Sequence, residues 1–70
     1  MMPLNLAPRE VSSTIKKVGG NDETKKHLEN LGFVPGATVK VISEMKGNVI
    51  VNIKDSRIAI SKEMAAKIMV

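Results

Sequence analysis

The sequence predicts a mainly β fold, a small closed barrel of five short strands with one helix between the first and second strands. Hydrophobic residues make up 43% of the chain and are almost all aliphatic, because Phe33 is the single aromatic residue. Several short runs alternate apolar and polar side chains with the two-residue period of half-buried strands. Turn signals separate these runs, as in small barrels, where closure of the sheet protects its edges.

The chain has 70 residues, which predicts one domain over residues 1–70. A domain of this size buries only about 60% of the surface that its unfolded chain exposes, so most apolar residues are needed for the core. There is no cysteine, which excludes disulfides and thiolate sites. No segment approaches the roughly 20 apolar residues of a membrane span, and no signal-peptide pattern is present. We therefore expect a cytoplasmic protein that does not insert into membranes.

The first strand is predicted around Ile15. Val11, Ser13 and Ile15 alternate with polar residues, as on one face of a strand. Val18 falls out of this phase, which predicts a bulge near Lys16–Lys17.

A short helix is predicted next, from Glu23 to Leu31. Asn21 or Asp22 can cap its N-terminus with a side-chain oxygen. Gly32 can take the left-handed conformation that ends a helix, and Phe33 can then fold back onto the last turn.

The second half of the chain predicts a β-meander. Pro35–Gly36 fits the centre of a type II turn, because proline fixes φ and glycine accepts a positive φ. A long hairpin is predicted on either side of the connection Glu44–Asn48, and the tight turn Lys54–Ser56 leads into the strand Arg57–Ile60.

Ser61 can cap a helical turn over Lys62–Ala65, and Ile68–Val70 then forms the last strand. The strand and helix periods together predict which side chains fill the core. These are Ile15, Leu28, Leu31, Val39, Val41, Val51, Ile58 and Ile68.

The segment Leu28–Val41 reads L-x-x-L-G-F-V-P-G-x-x-V-x-V and resembles the core motif of the FeoA family, small cytoplasmic partners of the FeoB ferrous iron transporter. The segment Arg57–Val70 is similar to the family's R-L-A-L run and its A-x-x-I-x-V ending. The resemblance implies an SH3-like five-stranded barrel. It also implies a non-enzymatic accessory role in ferrous iron uptake, through binding to the cytoplasmic GTPase region of a FeoB-type transporter.

The chain departs from the family pattern at four places. Its hairpin connection at Met45–Asn48 is about one residue shorter than the common loop, a length that hairpins tolerate. Glu10 stands where glycine is common, and Asp55 replaces a turn glycine. Ser61 replaces an arginine. Asp55 is the mildest change, since aspartate accepts a positive φ better than most residues.

The residues do not support a catalytic or metal site. Glu23 and His27 lie one helical turn apart, but two ligands are too few, and the chain has no second histidine. Its serines lie in no G-x-S-x-G motif, and no phosphate-binding loop is present. We expect no enzyme activity, no resident metal and no cofactor.

Two other functions are compatible with parts of the sequence. The first is a counterpart of the SH3-like domain that iron-dependent repressors carry, although this chain has no helix-turn-helix. The second is nucleic-acid binding, since the net charge is +4. Its cations are scattered, and tyrosine and tryptophan are absent, so stacking platforms are missing. We therefore expect no nucleic-acid partner.

Five residues are predicted to contact a partner protein. Lys25, Lys26 and His27 lie on the helix, and Met45 and Lys46 lie at the hairpin tip. Cations guide the encounter with an acidic surface, while the exposed methionine supplies an apolar contact. A monomer is favoured.

Overall fold

The computed structural model describes residues 1–70 and shows a mainly β chain with two α-helices. A 3₁₀ turn opens the chain, and short strands follow on both sides of the first helix. The elements in order are the 3₁₀ turn Leu4–Leu6, β1 Ser12–Thr14, β2 Lys17–Val18, α1 Asp22–Asn30, β3 Thr38–Met45, β4 Asn48–Ile53, β5 Ser56–Ser61, α2 Lys62–Ala65 and β6 Ile68–Met69.

The strands form two antiparallel sheets. One has the order β1-β3-β4-β5, and the other pairs β2 with β6. The mainly β class and the meander of β3, β4 and β5 are confirmed. The single closed five-stranded barrel is not, because the chain has six strands in two sheets and the four-stranded sheet does not close on itself.

The predicted first strand divides between these two sheets. The backbone N–H of Ile15 donates to the carbonyl of Ala37 at 2.9 Å, beside β3. The next N–H, of Lys16, donates to the carbonyl of Met69 at 2.8 Å, in β6. The chain thus changes hydrogen-bonding partner between Ile15 and Lys16, so a crossing from one sheet to the other takes the place of the bulge predicted near Lys16–Lys17.

The core lies between the two sheets and α1, and it contains only apolar side chains. Six of the eight predicted core residues are buried, whereas Leu31 and Ile58 are half-buried and pack against the cluster. The buried apolar side chains are those of Leu4, Ile15, Val18, Leu28, Phe33, Val39, Val41, Val49, Val51, Ile53, Ile60, Ala65 and Ile68.

Helix α1 begins and ends one residue earlier than predicted. Asn21 is the N-cap, and its side-chain oxygen accepts a hydrogen bond from the Thr24 backbone N–H at 2.8 Å. Asp22 and Glu23 follow in the first turn, where the helix dipole favours negative charge.

The C-terminus of α1 has the predicted glycine-terminated geometry. Gly32 has a φ of 104°, a value that residues with a side chain rarely adopt. Its N–H donates to the Glu29 carbonyl at 2.9 Å. The N–H of Phe33 donates to the Leu28 carbonyl, also at 2.9 Å. This pair of bonds is the Schellman motif, and it turns the Phe33 ring into the core.

The Pro35–Gly36 turn is also as predicted. The N–H of Ala37 donates to the Val34 carbonyl at 3.0 Å, and Gly36 has a φ of 92°. These features define a type II turn, which directs the chain into β3.

Both hairpins have two-residue loops with positive φ at each position. Lys46 and Gly47 have φ values of 48° and 82°, and Lys54 and Asp55 have values of 49° and 62°. Such loops match the right-handed twist of the strands that they join. Glu10, which stands where the family commonly has glycine, also has a positive φ of 61°.

Candidate partner-binding surface

Helix α1 exposes three of the predicted contact residues. Lys25, Lys26 and His27 are all exposed, and Leu28 is the one fully buried residue of the helix. The helix therefore packs through Leu28 and presents these adjacent side chains to solvent. Two lysines and a histidine thus reach solvent on the outside of the fold, beside the exposed carboxylates of Asp22, Glu23 and Glu29 on the same helix.

The tip of the β3–β4 hairpin exposes the other two. Met45 is 59% exposed although it ends a strand, and Lys46 is exposed in the loop. Met45 pairs in register with Asn48, so the strands continue to the tip and hold the methionine in a defined position. An exposed apolar side chain beside a cation is a suitable contact for a partner protein.

Helix α2 holds the hairpin tip, a relationship that local sequence patterns do not show. The backbone N–H of Lys62 donates to the Gly47 carbonyl at 3.0 Å, and Lys62 Nζ lies 2.7 Å from Glu44 Oε1. The hydrogen bond from Lys62 is the main cause that lowers the pKa of Glu44. Desolvation opposes it, and the charges of Lys62 and Arg9 lower the pKa by lesser amounts. The tip is therefore anchored by a backbone contact and by a charged one.

The two predicted regions lie on different parts of the fold. A Cβ placed on Gly32, just after α1, would lie 3.4 Å from Lys54 Cδ, so the C-terminal end of α1 adjoins the β4–β5 turn. Lys46 lies beyond the other end of β4, and a strand of this length spans about 17 Å. The C-terminal end of α1 and the hairpin tip are thus separated by the length of β4. Their joint use by one partner stays a prediction.

Sequence reasoning missed an exposed apolar group near the N-terminus. Leu4 and Leu6 share the 3₁₀ turn, yet Leu4 is fully buried and Leu6 is 68% exposed. Val11, which the sequence pattern predicts on the first strand, is 50% exposed. Hydrophobicity alone does not distinguish these positions, because the direction of each side chain depends on how the N-terminal segment packs on the sheets.

A groove on the sheet was also missed. It has a volume of about 480 Å³ and contains none of the five predicted contact residues. Six of its seven lining residues are polar or charged. The lining residues are Ser12, Ala37, Thr38, Lys40, Asn52, Lys54 and Asp55.

Neither a gathered metal-ligand set nor a membrane span is found. No three histidine, cysteine, aspartate or glutamate side chains come together as a metal site would require. Neither helix has the length and apolar character needed to cross a bilayer.

The fold defines a class of protein: a small, mainly β domain with two antiparallel sheets and two short helices, which exposes lysines on α1 and a methionine at a hairpin tip. The model of the FeoA domain family matches residues 2–70. The chain therefore belongs to the FeoA family, a family of accessory proteins of ferrous iron transport. The resemblance read from the Leu28–Val41 motif is confirmed.

A curated relative supports this assignment. The chain is 36% identical over 70 residues to the putative Fe(2+) transport protein A of Methanocaldococcus jannaschii, and the match covers 100% of this chain and 85% of the relative.

Solved structures support the fold. A crystal structure of an iron uptake regulatory protein (FeoA) matches with a TM-score of 0.89 at 29% identity, covering 99% of this chain and 92% of the other. The zinc complex of Stenotrophomonas maltophilia FeoA, described as a prokaryotic SH3 domain protein, matches with a TM-score of 0.86 at 25% identity, covering 100% and 89%. A manganese-dependent transcriptional repressor matches with a TM-score of 0.83 at 14% identity, covering 94% of this chain and 38% of the repressor, which shows a shared fold alone.

Proposed function

We propose that this chain acts as a single FeoA domain over residues 1–70, a non-enzymatic regulator of ferrous iron uptake in the cytoplasm. Its partner is the cytoplasmic GTPase region of a FeoB-type transporter. The observation that carries this proposal is the family match over residues 2–70. The relative named as an Fe(2+) transport protein, which aligns with the whole chain, supports it.

The exposed cations of α1 support a role in recognition. Lys25, Lys26 and His27 are neighbours in sequence and all reach solvent. Surface cations raise the rate of encounter with an acidic partner, and they favour that partner over a basic one. This surface attracts an acidic face of the GTPase region.

The hairpin tip supports a second contact. Met45 offers an adaptable apolar side chain, and Lys62 already fixes the backbone at Gly47. Because the tip is anchored before binding, less conformational freedom is lost when a partner covers it.

The test is a titration of the isotope-labelled chain with the soluble GTPase region at low salt. We expect amide shifts on α1 and at the hairpin tip. The variant Lys25→Glu, Lys26→Glu should weaken binding about tenfold, since reversing two contacting charges replaces attraction by repulsion. Lys16→Glu, Lys17→Glu is the matched control, because it changes the net charge equally at two other exposed lysines.

Two results count against the proposal in different ways. Shifts confined to β6, or unchanged binding by the Lys25→Glu, Lys26→Glu variant, would show that the surface is wrong while the partner stands. Absence of any interaction at low salt, with both proteins folded, would show that the partner is wrong.

The repressor-related alternative has weaker support. The repressor resemblance is limited to the fold, because identity is only 14%. Nothing in the surface favours that partner over the transporter.

A further inference from the structure

A row of polar side chains crosses the outer face of the four-stranded sheet. Ser12 is paired in register with Lys40, Lys40 with Asn52, and Asn52 with Arg57. Residues directly opposite each other on adjacent strands project from the same face. One line of side chains therefore runs across all four strands, and it contains two cations and no carboxylate.

The row lies outside the core because its sequence neighbours point inward. Val39 and Val41 flank Lys40, and Val51 and Ile53 flank Asn52, and all four are buried. Successive side chains of a strand point to opposite faces of the sheet. The outward direction of the row thus follows from the packing of the core.

The groove described above lies on this face. It includes Lys40 and Asn52 from the row and adds Lys54 from the β4–β5 turn, with Asp55 as its one acidic side chain. Arg57 stands next to Asn52 at the margin. A volume of about 480 Å³ is large enough for several residues of a bound peptide.

The cations of this face have no ionic partner within the chain. The one ion pair of the structure joins Lys62 to Glu44. Lys40, Lys54 and Arg57 therefore have no carboxylate within the 4.0 Å of an ion pair. Lys40 is half-buried on an inner strand, so its stem is held between neighbours and its ammonium group loses less freedom on binding.

We propose that this groove binds an extended acidic segment of a partner protein. Its carboxylates contact Lys40 and Lys54 and reach toward Arg57, while Ser12, Thr38 and Asn52 offer hydrogen bonds to its backbone. From Lys40 to Arg57 is two strand spacings, about 10 Å, which an extended chain covers in about three residues. This site is separate from the α1 and hairpin-tip surface, and it does not depend on the identity of the partner proposed there.

The composition of the groove favours a peptide over a nucleic acid. Binding of unpaired bases uses exposed aromatic side chains, and the single aromatic residue, Phe33, is fully buried.

The experiment titrates a hexaglutamate peptide into the isotope-labelled full chain at low salt. We expect amide shifts at Lys40, Asn52, Lys54 and Arg57. The variant Lys40→Glu, Lys54→Glu should lower the affinity about tenfold, because charge pairs at the contact contribute more than distant charges. The matched control Lys16→Glu, Lys17→Glu carries the same net charge and should lower the affinity for the peptide less than about threefold. If the glutamate variant does not fold, Lys40→Gln, Lys54→Gln is measured instead, with Lys16→Gln, Lys17→Gln as its control.

Three results would overturn the proposal. The first is an equal loss of affinity in the groove and control variants, which would show a net-charge effect alone. The second is a shift pattern confined to α1 or the hairpin tip. The third is tighter binding of an oligothymidylate of equal charge to the groove, which would replace the acidic peptide by a nucleic acid. The GTPase region is absent from this experiment, so its outcome is independent of the function proposed above.

Discussion

Lys62 Nζ lies 2.7 Å from Glu44 Oε1, and this ion pair connects the first residue of α2 to the end of β3. The two residues are 18 positions apart in sequence, and the Lys62 backbone N–H also binds the Gly47 carbonyl. The pair therefore reinforces a backbone contact that fixes the hairpin tip. It also makes Glu44 a reporter of the tip's position.

Replacing the lysine should raise the pKa of Glu44. In Lys62→Gln the carboxylate loses its charged donor, so its pKa returns toward the usual value near 4.5. In the native chain the pKa of Glu44 is lower in the folded state than in the unfolded state. The ion pair therefore stabilises the fold at pH values above the unfolded-state pKa, and this stabilisation is lost as the pH falls through the folded-state pKa. NMR titration of the side-chain carboxyl measures the change. Lys25→Gln, on the far helix, should leave the Glu44 pKa where it is, and an equal shift in both variants would contradict the assignment.

Removing the Phe33 ring should destabilise the fold strongly. The side chain is fully buried in the cluster, and Phe33→Ala should lower the free energy of unfolding by about 3–5 kcal/mol through lost burial and a cavity. Urea denaturation measures this change in the free energy of unfolding. The control Met45→Ala truncates a 59% exposed side chain and should change stability by less than about 0.5 kcal/mol. If Phe33→Ala is unfolded, Phe33→Leu should fold with a loss below about 1.5 kcal/mol.

Alanine should be unfavourable at Gly32 and at Gly36. Their φ values are 104° and 92°, and holding an L side chain in the left-handed region costs about 1–2 kcal/mol. A Cβ at Gly36 would have no atom within 4 Å, so the loss of stability in Gly36→Ala measures the backbone effect alone. Gly19→Ala is the control, because a Cβ there meets only the Lys67 carbonyl oxygen at 3.5 Å, an ordinary contact. If thermal unfolding shows the same loss of stability in Gly36→Ala as in Gly19→Ala, the backbone conformation at Gly36 does not disfavour alanine.

Zinc and ferrous iron should bind this chain only weakly. His27 is the single histidine, cysteine is absent, and no three histidine, aspartate or glutamate side chains come together, so a four-ligand zinc site is not assembled. Calorimetric titration of the apo chain should show no tight stoichiometric site, and His27→Ala should leave the heat signal unchanged. The relative from Stenotrophomonas maltophilia was crystallised with zinc, so a tight 1:1 isotherm that is abolished in His27→Ala would show that this chain has a site as well.

Part of the candidate surface could be predicted from sequence. Lys25, Lys26, His27, Met45 and Lys46 are exposed as the periodicity required. The polar row that crosses the sheet beside the groove could not be predicted. Its residues, Ser12, Lys40, Asn52 and Arg57, come from four strands and become neighbours only through the register of three strand pairings. The periodicity of each strand shows which face a residue occupies, but not which residue of another strand lies opposite.

Local features were determined by the sequence itself. The Asn21 cap, the Gly32 helix end, the Pro35–Gly36 turn and the Lys54–Asp55 turn each depend on backbone angles and hydrogen bonds within about six residues, which side-chain chemistry dictates directly. Tertiary packing decided the rest. It divided the predicted first strand after Ile15 between β3 and β6, since a backbone N–H binds whichever carbonyl the distant strands bring near it.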